Sequence, residues 1–250
     1  MADNIRQYQT RAANAGAVAD TSIDQGLRAY MIKVYNLMAM GLLITGVAAW
    51  GAFQLAIVDG QLTSFGTLIY ASPFKWVVIF APLALVFFLS FRIQNMRPAT
   101  AQLTYWIYAA LVGVSLGSIF LIYTHTSIVR VFFITAASFG ALSLWGYTTN
   151  RDLTGMGSFL IMGLFGIIIA SLVNIFLVSS MMQWIISVVG VLIFAGLTAY
   201  DTQRLKSEYI HGAMDGDVME RSAIMGALSL YLDFLNLFTM LLQLLGTRDE

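Results

Sequence analysis

No cysteine occurs in the 250-residue chain. Disulfides, thiolate nucleophiles and cysteine-based metal sites are thereby excluded, and the redox compartment leaves no trace in the sequence. Histidine is nearly absent as well, and His125 and His211 are too few for a histidine metal cluster. Charge is scarce. Asp, Glu, Lys and Arg make up 10% of residues, against roughly 25% in a soluble domain, so the chain cannot cover its own surface in water. The 13 basic and 13 acidic side chains cancel, which removes any global field that would draw nucleic acid or hold the protein on an anionic surface. Residues 1–29 also lack an apolar h-region followed by a small-residue cleavage site; Arg6, Arg11, Asp20, Asp24 and Arg28 stand there among Ala, Gln and Asn. They are expected to form a retained, disordered polar tail ahead of a membrane domain over 30–250.

What the chain does contain is apolar length. The hydrophobic fraction is 59% and the mean hydropathy +0.79. A helix crosses the ~30 Å hydrocarbon core with ~20 apolar residues, and such runs lie near 34–57, 74–91, 103–123, 128–147, 158–179, 181–200 and 223–245. The expected fold is an all-α integral membrane protein of seven transmembrane helices. Only Ser179, Ser180 and Gln183 interrupt the fifth and sixth runs, so six spans with one long hairpin is the rival arrangement. Basic residues decide the orientation. Arg6, Arg11, Arg28, Lys33, Arg92, Arg97, Arg151, Arg204, Lys206 and Arg221 fall on the side of the N-terminus, and only Lys75, Arg130 and Arg248 on the other. The N-terminus is therefore expected in the cytoplasm and the C-terminus opposite, in the plasma (inner) membrane of a bacterium.

Glycine is frequent, and Gly113, Gly117, Gly155, Gly163 and Gly166 recur at small-residue spacing. Close helix packing in lipid is the expected role. A phosphate loop is rejected because no strand precedes Gly155 and no Gly-Lys-Ser follows it.

Ionisable groups inside apolar runs carry the functional signal, since each costs on the order of 3 kcal/mol at a helix centre. Asp233 sits mid-run in Ala-Leu-Ser-Leu-Tyr-Leu-Asp-Phe-Leu-Asn-Leu-Phe (227–238). Ser229, Asp233, Asn236, Met240 and Gln243 advance by four, three, four and three residues, so they form one stripe that must face the bundle interior. Asp201 ends the sixth run, where it is either a functional carboxylate or a helix-end acid paired at i+3 with Arg204. If the two aspartates meet, they titrate as a coupled pair, and one member is poised to change protonation near physiological pH. Deprotonated, they offer hard oxygen ligands suited to calcium, with Asn236 or backbone carbonyls completing the shell. Arg92, at the end of the second run, is either a counter-ion for them or a positive-inside anchor. Asn174 and His125 read as packing or interface residues.

Ala-Leu-Ser-Leu-Tyr-Leu-Asp-Phe-Leu-Asn-Leu-Phe, preceded some thirty residues earlier by Ala-Tyr-Asp-Thr-Gln, resembles the signature of the Bax inhibitor (transmembrane Bax inhibitor motif) family, and Val-Asn-Ile-Phe at 173–176 is similar to it too. The likeness extends from about residue 25 onward. It implies seven helices with the last one central, no enzymatic activity and no cofactor, and a pH-sensitive calcium leak governed by Asp201 and Asp233. It also implies an arginine latch at the end of the second helix, which maps to Arg92, with Arg97 close by. Phe80-Ala81-Pro82 offers no carboxylate within the second helix, where bacterial members can carry one.

Two other functions compete. One is a membrane interaction protein that regulates a membrane protease or another complex without conducting ions, for which the polar N-terminal tail is suited. The other is an intramembrane aspartyl protease, whose Tyr-Asp half matches Tyr200-Asp201. Its second half fails: Asp233 follows Leu230-Tyr231-Leu232 rather than Gly-x-Gly, and no Pro-Ala-Leu comes after.

Overall fold

The computed structural model describes residues 25–212 and 216–249, His211 by its backbone alone. The tail expected over 1–29 lies outside this range up to residue 24. Residues 25–29 already belong to the first helix, and Leu27 is buried in the bundle.

Seven helices are long and apolar enough to cross a membrane: α1 (Gln25–Ala56), α2 (Lys75–Asn95), α3 (Pro98–Leu121), α4 (His125–Thr148), α5 (Thr154–Leu177), α6 (Ser180–Ile210) and α7 (Gly216–Leu245). Each holds an 18-residue window of mean hydropathy 1.5 or more. Among the described residues the strands amount to one short ribbon, Ile57–Val58 against Gln61–Leu62, turned by Asp59 and Gly60 in left-handed conformation. Large apolar side chains such as Phe91, Phe165 and Phe176 point outward from the bundle. In water they would form aggregating patches; in hydrocarbon they need no covering.

The fifth and sixth runs are two helices, which settles the six-span alternative. The break uses neither glycine nor proline. Val178 adopts the left-handed conformation (φ 48°) and donates its N–H to the Asn174 carbonyl, while the Asn174 side chain accepts from the Ser179 N–H at 3.0 Å. Ser179 then caps α6 by accepting from Met182 N at 3.3 Å. Local bonds spanning three to five residues thus satisfy groups that the two helix ends leave open.

Helix α7 is the hub. It packs against α1, α3, α4 and α6 and carries a buried row from Ala223 to Leu242. Tyr231 is fully buried and bonds the Thr45 hydroxyl of α1 at 2.6 Å, which in turn donates to the Ala109 carbonyl of α3 at 2.9 Å. Small residues let these helices approach: a Cβ on Gly113 would stand 2.5 Å from the Thr45 carbonyl oxygen. Gly155 and Gly166, by contrast, face open space and play no such part. Helix α2 packs chiefly on α3, and its last turn, Ile93–Asn95, reaches α7. After α7 the chain doubles back on the α3–α4 turn, with Thr124 N donating to Thr247 O, Thr247 N to Ser127 Oγ, and Asp249 N to Ile122 O. His125 in that turn packs between Phe53 and Phe120, the packing role expected of it.

Candidate functional site

Consecutive residues on a helix diverge by ~100°, so a short motif can serve several neighbours at once. Tyr200 to Arg204 does so. Tyr200 lies against Gly157 of α5. Asp201 turns toward α7, where its Oδ2 accepts a short hydrogen bond from Ser229 Oγ. Thr202 faces α4 and bonds Ser143 Oγ at 2.9 Å. Gln203 holds the α4–α5 turn, donating to Arg151 O at 2.8 Å and accepting from Leu153 N at 2.8 Å. Arg204 comes back beneath Asp201, one turn on.

The two aspartates share one cavity. Both are buried (Asp201 6% and Asp233 5% exposed), and both line a cavity of about 680 Å³. Four helices wall the cavity, represented by Phe87 of α2, Ile168 of α5, Leu197 of α6, and Asn236 and Met240 of α7. Helices α2 and α5 are scarcely in contact with each other, so the cavity lies behind a seam in the bundle wall. Asp233 Oδ2 has no hydrogen-bond partner among the described residues. An acceptor buried without a donor is costly.

Arg204 is the cation of this cavity. It pairs with Asp201 at 3.1 Å and Glu208 at 3.4 Å, donates to Ser229 Oγ at 3.2 Å and stands over the Tyr200 ring at 5.8 Å. The i+3 pairing with Asp201 is therefore formed. With every group ionised, three carboxylates face one guanidinium, and the local charge is negative. Ser229, Asp233, Asn236 and Met240 all open on the cavity, as their common stripe demands. Gln243 continues that stripe beyond the cavity, accepting from Gln183 at 2.6 Å and Ser187 at 2.7 Å. Asn236 commits its amide nitrogen to the Leu232 carbonyl at 2.8 Å. Arg92 and Arg97 are exposed at the α2–α3 junction, and neither forms an ion pair among the described residues.

The donor set is two carboxylates, a hydroxyl and an amide. Calcium takes six to eight oxygens when held tightly, more than this set supplies. Among the described residues no group of three or more His, Cys, Asp or Glu could hold a metal.

A bundle of seven apolar helices with a carboxylate pair in a cavity beside its central helix defines a polytopic membrane protein with an intramembrane acidic site. The family model described as "Inhibitor of apoptosis-promoting Bax1" matches residues 27–250, and the chain belongs to this Bax inhibitor family. Among its relatives, the Rickettsia prowazekii protein RP147 is 49% identical over 92% of this chain and 94% of its own length. A protein of Caulobacter vibrioides is 47% identical over 93% and 94%, and the Escherichia coli K12 inner membrane protein YbhL 45% identical over 89% and 93%.

Proposed function

We propose that the protein is a pH-sensitive calcium leak channel of a bacterial plasma membrane, in which Asp201 and Asp233 sense protons and bind the passing cation. The observation that supports this reading most directly is the Asp201–Asp233 pair, with the partnerless Asp233 Oδ2, inside a cavity of about 680 Å³. Two adjacent carboxylates in such a place bind protons or a divalent cation in competition. Protonation removes the charge that attracts the cation; deprotonation restores it. Ser229 and Arg204 hold Asp201, Asn236 adds an oxygen, and Arg92 is the latch, reaching the pair when α2 closes over the seam it shares with α5. The basic end of the bundle, bearing Arg92 and Arg204, faces the cytoplasm, and Arg248 lies on the other side.

Liposomes containing only this protein test the reading. Calcium flux is measured from pH 5 to 8 for wild type, Asp201→Asn, Asp233→Asn and Arg92→Gln. Flux that varies with pH in wild type and loses that variation in either aspartate variant is the expected result. Wild-type flux equal to that of empty liposomes at every pH sinks the channel reading.

A further inference from the structure

On the side of α7 away from the aspartates, the seam between α1 and α4 is open, the two helices having little direct contact. Three hollows run along it. The first, about 740 Å³, extends from Arg28 past Tyr35, Ser143 and Tyr147 to Ala39, Gly140 and Phe234. It continues at Phe234, Leu42 and Phe132 into two more of about 270 and 560 Å³, which end near Phe133 and Trp50. Phe234 and Phe238 of α7 form the floor, packed edge-on against Phe132.

The chemistry of this groove is graded. Its deep part is hydrocarbon. Hydroxyls of Tyr35 and Ser143 follow, bonded to each other. At the mouth stand Arg28 and, above Tyr147, Lys206, whose Nζ bonds the Tyr147 carbonyl at 3.0 Å and lies 5.2 Å from its ring. Among the described residues no acidic side chain lines any of the three hollows. Neither cation is in an ion pair among the described residues. From Arg28 to Ala39 is eleven residues of helix, about 16 Å, which is half of the ~30 Å hydrocarbon core, or one leaflet.

We propose that the α1–α4 groove holds an acyl chain of an anionic phospholipid, with its phosphate on Arg28 and Lys206 at the basic end of the bundle. Cations at head-group level, hydroxyls at ester level and apolar walls below match that molecule from end to end. A partner's membrane helix fits less well. Such a helix, about 10 Å wide and ~30 Å long, occupies roughly 2,400 Å³, whereas the three hollows together come to about 1,570 Å³. The site stands apart from the ion reading, since it lies on the opposite face of α7 from Asp233.

The purified full-length chain is mixed in detergent with equal amounts of phosphatidylglycerol and phosphatidylcholine bearing the same acyl chains, and retained lipid is counted by native mass spectrometry. A basic side chain near the head group favours an anionic lipid about fivefold, so two give a preference of roughly 25-fold in wild type. Arg28→Gln, at an exposed position, lowers the preference about fivefold. Gly140→Phe fills the groove, and since nothing lies within 4 Å of a Cβ at Gly140, the fold is kept while both lipids are lost. Equal retention of the two lipids by wild type overturns the proposal, as does phosphatidylglycerol retention that neither variant changes. A dimer mass abolished by Gly140→Phe, with no lipid retained, assigns the groove to a second copy and also overturns it.

Discussion

Asp233 is costly where it stands. It is buried, with one oxygen unpartnered among the described residues, and flanked by Leu232 and Phe234. Its neighbours have ordinary structural roles that can be separated from it. Tyr231 and Thr45 tie α7 to α1, and a double-mutant cycle of Tyr231→Phe and Thr45→Val should return a coupling of roughly 0.6 kcal/mol, the size common for hydrogen bonds between helices in lipid. Reversible unfolding in mixed micelles measures it, and a coupling near zero would show that the 2.6 Å contact contributes nothing. Outside the membrane, Asp152 accepts hydrogen bonds from Thr154, first from its side chain and then from its N–H, and they hold the carboxyl below its ordinary value. A depressed carboxyl stabilises the start of α5 above the ordinary aspartate range, and that contribution disappears as pH falls through the lowered value. NMR titration of Asp152 should show a midpoint below that of a free aspartate. Thr154→Ala should move it back up.

At the scale of helices, the two kinds of legibility part company. The seven apolar runs and the stripe Ser229–Asp233–Asn236 were readable because periodicity and length are local properties. The α5–α6 break was readable in place, at Ser179 and Ser180, but not in mechanism, since its stop signal is an Asn174 side chain accepting from a backbone N–H five residues on, and Asn174 in isolation looks like packing. The cation of the cavity was half readable. Arg204 is placed by i+3 spacing along one helix, whereas the reach of Arg92 depends on how α2 sits against three other helices, which spacing does not encode. The groove between α1 and α4 left no mark either, because an absent contact has no sequence pattern. Helix α2 itself carries a prediction. It packs chiefly on α3, and Pro82 has no N–H to give the Val78 carbonyl. Amide exchange in lipid nanodiscs should be fastest in α2 among the seven helices, and Pro82→Ala should slow it around residues 78–86. Exchange in α2 as slow as in α7 would contradict the weak attachment.

For the whole molecule, the uneven distribution of basic residues sets an orientation that is easily tested in a chain with no native cysteine. Single cysteines at exposed positions 97 and 248 provide opposite reporters. In intact cells a membrane-impermeant maleimide should label Arg248→Cys at once and Arg97→Cys only after permeabilisation; the reverse pattern would invert the protein in its membrane. The central position of α7 has a further meaning for how the chain is made. Translation runs from the N-terminus, so the helix that packs against α1, α3, α4 and α6 is made after all of them. Until it is made, Asp201 lacks its Ser229 donor, and the α3–α4 turn lacks the partners that residues 247–249 supply. The contacts that join these four helices through a common neighbour therefore become available to the growing chain only once α7 has been added.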